Sequence, residues 1–236
     1  MKCFAKYFAV LKSDGVTARA IFNGRRISTF YKTPPTTNLA DIPDLLREIS
    51  QRNFFAIGDF RNYFHQHSLA TEVAEHFGLE LGGQAFIYMV LPMGWSWSPR
   101  LAQSGSTALL IEAACRAKLA DRKDFEGLEN PPSMVRMRDG GFAVVWYDNV
   151  LAAFNNANDR DSFYDKMTAV CEEVNVQWKD WKKFSRKDMA ETKNAEDLPC
   201  FVGLSFGDAV GKRCRDDDLS TSERSKIKVG ANVIVR

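Results

Sequence analysis

Apolar residues in this chain fall in short runs separated by turn-forming and charged segments. Residues 3–11 and 18–22 are two such runs joined at Ser13-Asp14-Gly15, a pattern that predicts a β-hairpin. Pro34-Pro35 closes that unit. Ile42, Leu45, Leu46 and Ile49 then recur at helical spacing, behind Asn38 or Asp41, either of which can cap a helix. Phe54-Phe55-Ala56-Ile57 is a continuous apolar run and predicts a strand over 54–59. A second strand is expected over 84–91, stopped by Pro92, and a helix from 99 to about 120 with proline in its first turn. Residues 121–141 are charged, contain Pro131-Pro132 and Gly140-Gly141, and predict a surface insertion. A strand over 142–147, a turn and a helix from 159 to about 174 follow, with Phe163, Met167, Val170 and Cys171 on one helix face. Residues 185–197 predict a loop, 201–206 a last strand, and the tail 211–236 has no periodicity. Hairpin-connected strands mixed irregularly with helices argue for an α+β fold, an antiparallel sheet with helices on one face.

Composition adds limits. The 236 residues suit one large domain or two closely packed small ones, and the 45% apolar content is ample for a core. The net charge of +2 does not by itself point to nucleic acid, but its distribution is uneven. Seven basic residues lie in 1–36 against Asp14 alone, and Lys179, Lys182, Lys183, Arg186 and Lys187 form a second cluster, two patches that suit phosphate or an ordinary solvated surface. The five cysteines and three histidines show no metal-ligand spacing, and a disulfide framework is not expected. With no long apolar stretch and no signal-like start, the expectation is a protein without membrane contact, inside the cell, in cytoplasm or nucleus.

The chemistry lies at two strand ends. Ala143-Val144-Val145-Trp146-Tyr147-Asp148 runs into a carboxylate, and the strand from Phe54 reaches Asp59. An aspartate at a strand end otherwise caps a turn. Two such strands side by side, however, could hold the metals that in-line phosphoryl transfer uses.

Asp59-Phe60-Arg61-Asn62-Tyr63-Phe64-His65-Gln66, Leu91-Pro92-Met93-Gly94-Trp95-Ser96-Trp97-Ser98-Pro99 with Gln103, Trp146-Tyr147-Asp148-Asn149 and Phe201-Val202-Gly203 occur in that order. They resemble the successive motifs of reverse transcriptases: the first aspartate motif, the Leu-Pro-x-Gly motif, the Tyr-x-Asp-Asp motif and the primer grip. The stretch from Lys12-Ser13-Asp14-Gly15 to Arg25 is similar to the fingers hairpin. The likeness is nearest to polymerases of long-terminal-repeat and tyrosine-recombinase retroelements.

That resemblance implies a right-hand polymerase, fingers and palm, with a small antiparallel sheet packed on helices and a thumb absent or truncated. It divides the chain into a fingers hairpin at 1–36, a fingers–palm helix at 37–53, a palm at 54–210 with a fingers part at 66–91 and the insertion at 121–141, and a tail at 211–236. It implies catalysis by Asp59, Asp148 and Asn149, with Mg2+ or Mn2+ held at Asp59, Phe60 and Asp148. The nucleotide would be met by Lys12, Arg19, Phe60, Phe64, Met93, Gly94, Gln103 and Lys182. Phe64 would lie against the sugar and favour deoxynucleotides, and Lys182 or Lys183 would stand for the family's late lysine, a proton donor to pyrophosphate. The implied partners are an RNA or DNA template with a DNA primer, deoxynucleoside triphosphates, and a further chain supplying thumb or RNase H. Trp95 and Trp97 are expected to pack against the fingers rather than stack on bases, and the histidines to be structural.

Two departures qualify the pattern. Asn149 replaces the second carboxylate, which lowers metal affinity without removing an oxygen ligand. Only 33 residues follow Gly203, too few for a thumb. The expectation is therefore an RNA-directed DNA polymerase core, or else a degenerate binding or scaffold module. An RNA polymerase is the third reading, and Phe64 argues against it.

Overall fold

The computed structural model describes residues 4–11, 15–192, 200–201 and 204–205. The chain runs β1 (Phe4–Ala5), β2 (Tyr7–Leu11), β3 (Ala18–Phe22), α1 (Arg25–Ser28), α2 (Ile42–Ser50) and β4 (Phe54–Phe60). A short 3-10 turn (Tyr63–Gln66), α3 (Thr71–Ala74), β5 (Gly78–Leu81), β6 (Gln84–Ile87) and α4 (Ser98–Arg116) follow. After a second 3-10 turn come β7 (Val135–Arg136), β8 (Phe142–Trp146), β9 (Asn149–Phe154), α5 (Ala157–Glu173), β10 (Trp178–Ser185), α6 (Arg186–Glu191), β11 (Cys200–Phe201) and β12 (Leu204–Ser205). No helix among the described residues is long and apolar enough to cross a membrane.

The central sheet has the order β10-β4-β9-β8-β7, antiparallel throughout. Two of its three inner strands, β4 and β9, are buried almost end to end, so both of their faces are covered. Strand alternation sends Ala56, Phe60, Val150, Ala152 and Phe154 to one core with Leu110 of α4 and Phe163 and Met167 of α5. Phe55, Ile57, Leu151 and Ala153 go to the other, with Leu45 and Ile49 of α2 and Met189 of α6. Helices thus cover both faces, not one. The run Phe54-Phe55-Ala56-Ile57 already carried that information, because a half-exposed strand would alternate apolar with polar.

Local signals explain the boundaries. Asp41, not Asn38, caps α2, its carboxylate accepting the Asp44 N–H. α4 stops at Arg116, short of residue 120, because Lys118 turns left-handed (φ 61) while the Lys118 and Leu119 N–H groups donate back to Cys115 and Ala114. α5 ends in the same way at Asn175 (φ 57), which delivers the chain to β10. Ser185 and Asp188 form a reciprocal capping box that starts α6 inside the stretch expected to be a loop. The expected insertion at 121–141 is not all surface: Val135 pairs in the sheet, and Val135 and Met137 are buried.

Three smaller sheets accompany this unit, the hairpin β2–β3, the three strands β1-β5-β6 and the antiparallel pair β11–β12. The strand expected over 84–91 shortens to Gln84–Ile87, with Val90 making an isolated bridge to Ser68.

Candidate active site

Asp59 and Asn149 are direct cross-strand partners in β4 and β9, and Trp146 pairs with Asn149 across a two-residue turn made of Tyr147 and Asp148. Following Ile57 and Leu151 in the alternation, Asp59 and Asn149 face the α2 side of the sheet. Such a tight turn needs a left-handed first residue, ordinarily glycine or asparagine; here Tyr147 takes it, at φ 58. A side chain with that backbone costs about 1–2 kcal/mol, and strain of this kind collects at functional sites.

The turn is held from behind. The Gln103 side chain, 2% exposed, donates to the Val145 carbonyl and accepts the Tyr147 N–H, both at 2.9 Å. Ser106 donates its hydroxyl to the Tyr147 carbonyl, and the Phe60 N–H donates to the Asp148 carbonyl at 2.9 Å. Gln103 was expected to line a nucleotide pocket. Its amide is instead consumed by the hairpin, because α4 passes directly behind the turn. Gln103→Leu leaves a buried N–H and a buried carbonyl unpaired and is expected to cost about 1–3 kcal/mol, read as a lower midpoint in urea unfolding.

The electrostatics single out the two carboxylates. Burial, and then the charge of Asp59, pushes the Asp148 pKa above the usual carboxylate range, while its own backbone, Asn149 and Arg19 pull the other way. Asn149 donates from Nδ2 to Asp148 Oδ1 at 3.1 Å. Asp59 Oδ2 pairs with Lys179 Nζ at 3.0 Å, and Asp59 Oδ1 is buried without a hydrogen-bond partner. A buried, unsatisfied carboxylate oxygen is costly unless something positive meets it. The donors suit one hard divalent ion. Among the described residues no group of three or more histidine, cysteine or acidic side chains converges on a metal position, as Asn149 removes the third acid.

The hairpin β2–β3 is seated on the Leu91–Trp97 loop. Phe22 N–H donates to the Met93 carbonyl at 3.1 Å, and Gly94, at φ 118, lies so close to Phe22 that a Cβ would sit 2.0 Å from the Phe22 oxygen. This seat brings Arg19 of β3 near enough to Asp148 to lower its pKa. Phe64 packs its ring 6.4 Å from that of Tyr147, beside the turn. Trp95 is buried against Tyr31 and Phe77, and Trp97 donates to the Lys32 carbonyl, so both tryptophans serve packing as expected. His65 bonds Tyr88, His67 packs on Tyr63 and His76 on Tyr31. Lys12, Val202 and Gly203 lie outside the described residues.

Solved structures of the foamy viral protease-reverse transcriptase are similar to this chain in fold. One, in complex with double-stranded DNA, gives a TM-score of 0.53 at 15% identity over 74% of this chain and 26% of its own. The selenomethionine-labelled prototype foamy virus mutant matches equally well, over 74% and 20%, and a complex with an RNA/DNA hybrid gives 0.50 at 15% identity over 72% and 19%. The chain has a reverse-transcriptase-like fold. It spans about a quarter of the length of the first of those viral chains. No protein family's sequence model matches it, and no curated protein sequence does.

Within that fold, three expected residues sit elsewhere. Phe60 turns its ring into the core between Tyr63 and Trp178, leaving only its main chain at the site. Lys182 lies opposite Ile57 and pairs with Asp180, and Lys183 pairs with Asp161 of α5 on the far face. The lysine that reaches Asp59 is Lys179. The signal for it is the spacing of Trp178 and Trp181, which stack 4.3 Å apart on one face although they are three positions apart in the strand. That geometry requires the bulge between Trp178 and Asp180, and the bulge turns Lys179 towards Asp59.

Proposed function

We propose that the chain is the nucleotide-adding core of an RNA-directed DNA polymerase, with Asp59 and Asp148 as ligands of Mg2+ or Mn2+. The observation that carries this reading is the orphaned Asp59 oxygen beside a second carboxylate made hard to ionise by burial and by Asp59 itself. Such an ion, when bound, lowers the pKa of an attacking hydroxyl and neutralises charge on leaving pyrophosphate. Asn149 keeps Asp148 oriented through its amide and adds a neutral oxygen. Arg19, on the seated hairpin, meets the triphosphate with its planar fork. Phe64, against Tyr147, leaves no room for a sugar 2′-hydroxyl and selects deoxynucleotides. In this reading the β2–β3 hairpin belongs to the fingers and the five-stranded sheet to the palm, and the primed template lies on the carboxylate side. The viral proteins of like fold bind double-stranded DNA and an RNA/DNA hybrid, which supports a nucleic-acid partner.

A second reading, a non-catalytic nucleic-acid-binding module of the same fold, is favoured by Asn149 and by the missing third acid. Incorporation of a labelled deoxynucleotide on an RNA template with a DNA primer separates the two. The expected signal is weak with Mg2+ and stronger with Mn2+, and Asn149→Asp raises it on the order of tenfold by adding a charged ligand. Background-level signal from wild type, Asn149→Asp and Asp148→Ala alike, with duplex binding intact, leaves only the binding module.

A further inference from the structure

Lys179 is not a lysine that happens to reach an acid. Trp178 and Trp181 both pack on the α4–α5 core, stacked with Phe60 on one side and Tyr164 on the other. Gly58 admits them: a Cβ there would meet the Trp181 ring at 2.6 Å and the Trp178 ring at 2.9 Å. Two tryptophans three apart on one face force an extra residue into β10, and both Lys179 and Asp180 then project to the carboxylate face. Asp180 is taken by Lys182 at 3.3 Å, which leaves Lys179 to Asp59 at 3.0 Å. The core therefore fixes a cation against one of the two acids.

We infer that Lys179 is a tethered counter-ion of Asp59 that a divalent metal displaces, so that the Lys179–Asp59 contact sets the metal affinity of this site. The inference rests on the metal-binding reading above and deepens it. A site with three acids can hold a divalent ion and a lysine together. Here Asn149 leaves two, and one oxygen of Asp59 is already committed to an ammonium group. Metal and lysine compete for the same charge. The Lys179 side chain is 67% exposed, so once displaced it has solvent to enter, and the competition is reversible.

Mn2+ binding to the purified full-length chain, followed by the electron paramagnetic resonance signal of free Mn2+, tests this without reference to activity. Lys179→Met, which keeps the aliphatic stem, is expected to bind about three- to tenfold tighter than wild type, whereas Lys179→Arg stays within about twofold. Lys187→Met, which removes a charge paired with Glu191 on α6, is expected to leave the affinity unchanged. Lys179→Gln gives the same readout should the methionine disturb the strand. An affinity for Lys179→Met no tighter than wild type, or equal tightening by Lys187→Met, overturns the inference while Asp148-dependent binding leaves the metal site standing. Absence of Asp148-dependent Mn2+ binding in every protein, Asn149→Asp included, removes the metal site and the inference together.

Discussion

Asp148→Asn is expected to reduce nucleotide incorporation to background and, in the metal-free protein, to raise the melting temperature. The loss follows if Asp148 is a metal ligand, since a bound metal contributes several kcal/mol to the transition state, about a thousandfold or more in rate. The gain follows from the direction of the Asp148 pKa, which burial and Asp59 raise. A carboxyl whose folded pKa lies above its unfolded value contributes stability below the unfolded pKa, near 3.9, and loses it as pH rises through the folded pKa. At neutral pH the wild-type protein therefore holds a carboxylate charged where folding disfavours the charge. The amide removes that cost and still accepts from Asn149. Differential scanning calorimetry in chelator should show the variant melting higher at pH 7, by about 2–4 °C for each kcal/mol gained in a chain of this size. The difference should shrink as pH falls towards 4. A variant that melts lower at pH 7 would mean that Asp148 is paired more favourably than its surroundings indicate.

Gly94→Ala is expected to be strongly destabilising. Its φ of 118 lies where L side chains are rarely found, and the added carbon would overlap the Phe22 carbonyl oxygen at 2.0 Å. That oxygen already accepts the Gly24 N–H, and Gly24 itself approaches the Gly94 carbonyl so closely that a Cβ would come within 2.6 Å. Neither chain can retreat without breaking the Phe22–Met93 hydrogen bond. A cost of about 3 kcal/mol or more is expected, as urea-midpoint loss, together with loss of the hairpin seat that carries Arg19. Unchanged stability would show that the β2–β3 hairpin is not held by this loop.

The parts legible in the sequence were those set by local chemistry. The Asp59 strand, an α2 cap at Asn38 or Asp41 and the proline-started α4 follow from patterns that lie within a few residues of one another. β9 was not expected: Asn149–Phe154 follows β8 after only two residues, and the stretch after 147 reads as a turn leading to a helix rather than as the second arm of a hairpin. β10 was harder still. Trp178-Lys179-Asp180-Trp181-Lys182-Lys183 has no alternation until the bulge is known, and the bulge is fixed by rings from β4 and α5 that are distant in the chain. For the same reason the resemblance led to Lys182 or Lys183, while the packing brought Lys179 to Asp59. Gln103 shows the converse limit: a motif fixes which residue occurs, but only the packing of α4 behind the turn fixes which atoms it engages.

The margins of the central sheet have a bearing on solubility. One margin, β7, is only two residues long, and the other, β10, is the last strand of the sheet on its side among the described residues, with the Trp181 and Phe184 carbonyls already accepting from Tyr164 and Arg160 of α5. Lys179, Asp180, Lys182 and Lys183 stud β10 with charge. Another chain seeking to extend the sheet would have to bury those groups, so the residues that adjust the carboxylates also guard the protein against self-association through its edge.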